Sequence, residues 1–199
     1  MIDKFQNKYR IPSARWQNWD YGSDAAYFIT ICTKNREHYF GEIKNGKMHL
    51  SRIGVLADVF WHEIKNHSKN IELGAFVVMP NHIHGILILN GNNVDIDTRT
   101  QVETRHALSL PSSPSPPIMA PGHQRFQNQG KNTISSIIGS YKSAISKHAQ
   151  RFGFKFEWQS RFYDHIIRDE AGYSRISEYI ETNPTKWRTD KFFKKEDQD

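Results

Sequence analysis

Apolar positions recur with a period of two in some stretches of the chain and of three to four in others, and the switches between them mark its elements. Residues 26–33 (AYFITICT) are dense in β-branched and aromatic side chains and predict a strand. The pair Asn45-Gly46 suits a tight hairpin turn, so 47–51 is read as a short partner strand. Over 53–66, Val55, Leu56, Val59, Phe60 and Ile64 recur at helical spacing. Residues 71–79 and 82–89 predict two strands joined by Pro80-Asn81, both apolar enough to place the hairpin centrally in a sheet. Helical periodicity returns over 133–150 through Ile134, Ile137, Ile138, Tyr141 and Ile145. The segment 156–168, which holds WQSRFYDHII, predicts an edge strand with a loop. Asp169 is placed to cap a last helix running to about Thr182. Asn183-Pro184 should end that helix, because the residue before a proline avoids the α region.

Paired strands between helices argue an α+β domain, an antiparallel sheet with helices packed on it. One domain over 1–199 is the expectation for this length. Three stretches stand outside the pattern. Residues 1–24 read as an extended arm, and 90–131 as a flexible insert that holds most of the prolines and can bury little apolar surface. The third, the basic tail RTDKFFKKEDQD from 188 on, should be loosely held.

Composition narrows the function classes. Twenty-seven Lys and Arg against 21 acids give a formal charge of +6, which favours polyanionic partners. Trp16, Trp19, Trp158 and Trp187 lie near basic groups, a mixture that serves base stacking as well as core packing. The single cysteine, Cys32, allows no internal disulfide and no thiolate zinc cage, and suits a reducing cytoplasm. The opening MIDKFQNKYR lacks the apolar run of a signal peptide. The longest apolar stretch, around 76–89, is broken by Pro80, Asn81, His82 and His84, so no membrane span is expected. Walker and Rossmann glycine motifs are absent.

Two constellations carry candidate chemistry. His82 and His84 lie two apart in a predicted strand, so they share a face with Cα atoms roughly 6.6 Å apart, close enough to hold one metal ion while Ile83 points into the core. The plainer alternative is a pair of histidines capping a hairpin. His62, His67, His106 and His123 read as surface residues. Tyr179 and Asn183, four apart on the last helix, are neighbours on one helical face. A core tyrosine with a hydrogen-bonded hydroxyl is the alternative there. The Asn183 carboxamide oxygen could complete a site with the two imidazoles, and mixed nitrogen and oxygen donors suit Mg²⁺ or Mn²⁺. Tyr141, on the helix with Ile137 and Ile145, is the rival tyrosine. Lys142, Lys147, Arg161 and Arg168 are candidate phosphate contacts, or else solvated surface charge.

These residues together resemble a known family. MPNHIHGIL is similar to the HUH motif (histidine, bulky apolar residue, histidine), and WQSRFYDHIIRD followed by YIETNPTKW resembles the end of the REP-associated tyrosine transposases. YFITICTKNR fits that family's first strand, and the likeness covers 26–89 and 133–188. The resemblance implies a ferredoxin-like α+β sandwich. It also implies metal-dependent cleavage and strand transfer on single-stranded DNA beside a hairpin, through a 5′-phosphotyrosine. Carried over by position, His82 and His84 would be metal ligands and Tyr179 the nucleophile. Asn183 would be the third ligand, where relatives often have Gln, and His165 a further ligand or a group supporting the ligands. A cytoplasmic, nucleoid-associated protein, monomer or homodimer, with Mg²⁺ or Mn²⁺ as cofactor and hairpin DNA as partner, is the corresponding expectation. The long insert departs from shorter members. A hairpin-binding regulator without catalysis, or a hydrolase that activates water on the same metal, are the alternative readings.

Overall fold

The computed structural model describes residues 23–68, 70–90 and 133–193. Apart from residues 23, 24 and 90, the expected arm and insert lie outside the described residues. Six strands and three helices follow in the order β1 (Ala25–Cys32), β2 (Gly41–Lys44), β3 (Lys47–Leu50), α1 (Arg52–His67), β4 (Ile71–Met79), β5 (His82–Leu89), α2 (Ile134–Arg151), β6 (Tyr163–Ile167) and α3 (Glu170–Thr182). A 3-10 segment, Asn183–Thr189, continues α3. The main sheet is antiparallel with strand order β4-β5-β1-β6, and β2-β3 form a separate hairpin. This is the ferredoxin-like α+β arrangement expected. One placement differs: β5 is central, but β4 is an edge strand, because β6 takes the free side of β1.

The sheet separates two apolar layers. On one side Tyr27, Ile29, Ile31, Ile83 and Leu87 pack against Ile53, Ala57, Trp61 and Ile64 of α1 and Ile134, Ile138, Tyr141 and Ile145 of α2. On the other, Phe28, Ile86, Val77 and Ile167 meet Ile180, Tyr173 and Ile176 of α3. A register shift between Leu73 and Phe76 keeps β4 consistent with this division. Before it the odd residues Ile71 and Leu73 face the larger core, and after it the even ones, Phe76 and Val78, do. Helix starts are fixed by side chains: Ser51 Oγ accepts from Gly54 N (3.1 Å), Thr133 Oγ1 from Ser136 N (3.3 Å) and Asp169 Oδ1 from Gly172 N (2.6 Å).

The helical stripe expected on α1 is rotated. Val55 and Val59 are 48% and 49% exposed, while Ile53, Ala57, Trp61 and Ile64 are buried. Two apolar stripes lie side by side on this helix, and the partner surface selects between them. Trp61 stacks on Phe76 (centroids 4.6 Å, interplanar angle 12°) and occupies the gap left by Gly85. The end of α3 also differs from expectation. Asn183, the residue before Pro184, is helical (φ −56°, ψ −43°), and the chain runs on as a 3-10 turn with proline in its first turn. Proline needs no hydrogen-bond acceptor there, and the α conformation buries the Asn183 side chain to 2% exposure.

Candidate metal centre

The Pro80-Asn81 turn delivers the first histidine. Asn81 is fully buried, and its Nδ2 donates to the carbonyls of Arg36 (3.2 Å) and Phe192 (2.9 Å). Its Oδ1 is therefore the acceptor that faces His82 Nδ1 at 2.8 Å. That bond fixes the tautomer: the proton sits on Nδ1, and Nε2 carries a lone pair. His82 Nε2 is buried and has no hydrogen-bond partner.

His84 is held from the next strand. Its Nδ1 lies 2.9 Å from Thr30 Oγ1, and Thr30 is its direct partner in the β1–β5 register. Its Nε2 lies 3.2 Å from the hydroxyl of Tyr179. The two imidazoles have centroids 4.5 Å apart, and the Phe192 ring covers His82 at 4.5 Å. Burial, with the positive charge of Lys191 added, holds His84 down to about 3 against an ordinary 6.5. Burial and then the neighbouring His84 push His82 well below the same value. Both rings are neutral near pH 7, the form that ligates a metal.

Helix α3 supplies the rest. Tyr179 and Asn183 lie one turn apart on one helical face, as their spacing predicts: the Tyr179 hydroxyl meets His84, and Asn183 meets Asp190. Asn183 Nδ2 donates to Asp190 Oδ2 (3.3 Å), and Asn183 Oδ1 is buried with no partner. Asp190 follows the 3-10 turn; its Oδ1 accepts from Phe192 N (2.6 Å), and its Oδ2 lies 3.4 Å from the Tyr179 hydroxyl. Ligand atoms of His82, His84 and Asp190 all fall within 4.8 Å of one another. Burial, then the charge of Asp190, raises the Tyr179 phenol above its usual 10.

The donor set fits a divalent cation. Two buried lone pairs, His82 Nε2 and Asn183 Oδ1, face no donor, a state that costs about 1–3 kcal/mol each when left unpaired. The Asp190 carboxylate and the His84 imidazole converge with His82, and Asn183 Nδ2 bonds that carboxylate. Two nitrogens with oxygens and no sulfur match Mn²⁺ or Mg²⁺ chemistry.

Asp190, Asn81 and Thr30 are the parts of the site that the sequence reading did not single out. The tail expected to be loose is packed through Phe192: Arg36 Nη1 donates to the Lys191 carbonyl (3.0 Å), and the Arg36 guanidinium lies 5.1 Å from the Phe192 ring. Residues 194–199 of that tail lie outside the described residues. The only local hint was an acid, Asp190, two residues before a pair of phenylalanines in a basic stretch.

The other candidates are dispersed. His165 is exposed on β6, opposite Phe28, on the same sheet face but outside the ligand cluster. Tyr141 is buried in the opposite layer with its hydroxyl donating to Ala57 O (2.8 Å), so the rival tyrosine is a core residue. Lys142 is half-buried, with Nζ donating to the carbonyls of Gln159 (2.6 Å) and Ser160 (3.5 Å). Lys147 is exposed on α2, in the layer across the sheet from the histidines, while Arg161 and Arg168 are exposed at either end of β6. His62 and His67 are exposed as expected, whereas His106 and His123 fall outside the described residues. No helix among the described residues is long and apolar enough to cross a membrane.

No protein-family model matches the chain. An uncharacterized protein of Haemophilus influenzae (strain ATCC 51907 / DSM 11121 / KW20 / Rd) is 35% identical over 182 residues, covering 91% of this chain and 92% of that protein. Among solved structures, a REP-associated tyrosine transposase bound to a REP hairpin superposes with a TM-score of 0.50 at 21% identity, over 82% of this chain and 68% of that one. The chain therefore belongs to one family with the Haemophilus influenzae protein, and its fold is that of the REP-associated tyrosine transposase.

Proposed function

We propose that the chain is a metal-dependent transposase-type endonuclease that cleaves and rejoins single-stranded DNA beside a hairpin, with Tyr179 as nucleophile. The observation that carries this reading is the Tyr179 hydroxyl 3.2 Å from His84 Nε2, inside the cluster formed with His82, Asn183 and Asp190. A phenol aimed at a set of metal-ligating lone pairs has no need to be there for packing, and it remains 38% exposed to an incoming strand. The DNA hairpin seen with the solved transposase of the same fold supports the substrate class.

In this reading His82, His84 and Asn183 hold the cation, with Asp190 beside them. When bound, the cation polarises a phosphoryl oxygen and offsets its developing charge. The chain's own residues do the rest. Tyr179 oxygen attacks phosphorus and the P–O3′ bond breaks; the downstream strand stays on the protein through its 5′-phosphate as a phosphotyrosine, while the 3′-oxygen of the upstream strand leaves and takes a proton from water. The free energy of the phosphodiester is retained in the covalent link, so rejoining by a 3′-hydroxyl needs no nucleotide cofactor. The phenol is neutral at pH 7 and must lose its proton as it attacks. The Asp190 carboxylate, 3.4 Å away, is placed to accept it. In this reading all of these groups come from one chain.

Hairpin DNA with a single-stranded extension, incubated with Mn²⁺ and run on a denaturing gel, should give a covalent protein–DNA band that Tyr179→Phe abolishes while hairpin binding persists. Cleavage with a free 5′-phosphate and no adduct would assign water as nucleophile. Binding without cleavage by the wild type would assign a regulator.

A further inference from the structure

Helix α3 packs chiefly on β4 and β5 and leaves Tyr163 and His165 of the edge strand β6 exposed. The register sets Tyr163 opposite Thr30 and His165 opposite Phe28, so both side chains emerge on the side that carries His82 and His84. Tyr163 is 46% exposed. Phe28, half-buried, sits between it and the nucleophile: its ring is edge-on to Tyr163 (centroids 6.5 Å) and to Tyr179 (6.2 Å), and tilted against His84 (5.2 Å). A continuous row of rings thus leads from the sheet edge to the Tyr179 hydroxyl. Lys191 Nζ stands 6.0 Å from the centre of the Tyr163 ring, and Arg161 and Arg168 are exposed at the ends of the strand.

An exposed tyrosine contributes little to the core, yet this one lies one ring away from the reacting group and beside a cation. That pairing of a flat π-surface with positive charge is what a single-stranded nucleic acid requires: stacking for the base, Coulombic attraction for the phosphate.

We propose that Tyr163 is a stacking platform for a base of the single-stranded DNA leading to Tyr179, with Lys191 beside the adjoining phosphate. This rests on the function proposed above and specifies how that site holds its strand. Stacking uses the face that every base has, so the platform positions the strand without reading its sequence.

The test separates base from backbone. In EDTA, where no cleavage intervenes, fluorescence anisotropy compares a labelled oligothymidylate with an abasic strand of the same length. Wild-type protein should prefer the base-bearing strand, Tyr163→Phe should keep that preference, and Tyr163→Ala should lose roughly five-fold or more of it, the lower range of one base–aromatic stack. Lys191→Gln should weaken both strands alike and flatten the salt dependence. Tyr163→Ala with wild-type preference overturns the platform even where the covalent adduct on Tyr179 forms, and so does a wild type that does not distinguish the strands. Absence of the adduct with base preference intact removes the proposed chemistry and supports the platform.

Discussion

Asn81 has two amide hydrogens and a carbonyl oxygen, and each has a partner: Arg36 O, Phe192 O and His82 Nδ1. The carboxamide cannot flip without facing its donors at an imidazole N–H, so it sets both the tautomer and the ring angle of His82. Asn81→Ala should therefore weaken Mn²⁺ binding roughly 10- to 100-fold, the usual cost of removing a group that orients a ligand. Calorimetric titration checks this, and unchanged affinity in a folded variant would show that His82 orients itself. Asp190→Asn removes a negative charge beside Tyr179 and, in the proposed reaction, its proton acceptor. Hairpin affinity should persist while the adduct forms about 100-fold or more slowly, within the range general base catalysis supplies. At this scale the sequence was informative where spacing alone sets geometry: His82 with His84 across one pleat, Tyr179 with Asn183 across one helical turn. Asp190 and Asn81 were not legible, because Asp190 meets His82 and His84 only once the chain is folded, and Asn81 sits in a turn that looked ordinary while donating to Phe192 O, 111 positions away.

At the scale of elements, β5 carries the two histidines on one face and Ile83, Gly85 and Leu87 on the other, toward the larger core. A Cβ at Gly85 would lie 2.2 Å from the Trp61 ring, which is clamped by Phe76. Gly85→Ala should destabilise the fold by about 1–3 kcal/mol through overpacking, read as a lower urea midpoint; a neutral result would mean that Trp61 has room to move. The strands were legible because alternation and β-branched runs report directly on a pleated surface. The buried face of α1 was not, since its sequence offers two adjacent apolar stripes and only Gly85 and Tyr141 decide which one turns inward. The helical Asn183 escaped for a related reason. The local bias before proline is small, and burial of the side chain in the site outweighs it.

The whole molecule registers the buried imidazoles as a pH dependence. His82 and His84 are depressed by burial, His84 down to about 3. In the unfolded chain both titrate near 6.5, so between 6.5 and the folded values the unfolded state binds more protons. Stability is then fully present above pH 6.5 and falls as pH drops, by up to about 1.4 kcal/mol per pH unit for each histidine. The melting temperature of metal-free protein should decline from pH 7 toward pH 4, and His84→Gln should flatten the slope; a flat wild-type profile contradicts the buried neutral pair. Mn²⁺ should raise the melting temperature at pH 7, and more than Mg²⁺ does, because imidazole nitrogens suit the former.

Thr30, His84 and Asp190 meet in space but are separated by most of the chain. During synthesis the ribosome delivers the β1–β5 pair long before the segment that carries Tyr179 and Asp190. A nascent chain can thus pair these strands while the cluster of His82, His84 and Asp190 is still incomplete. If the function proposed above holds, translation itself keeps the activity silent until the last contributing residue has emerged.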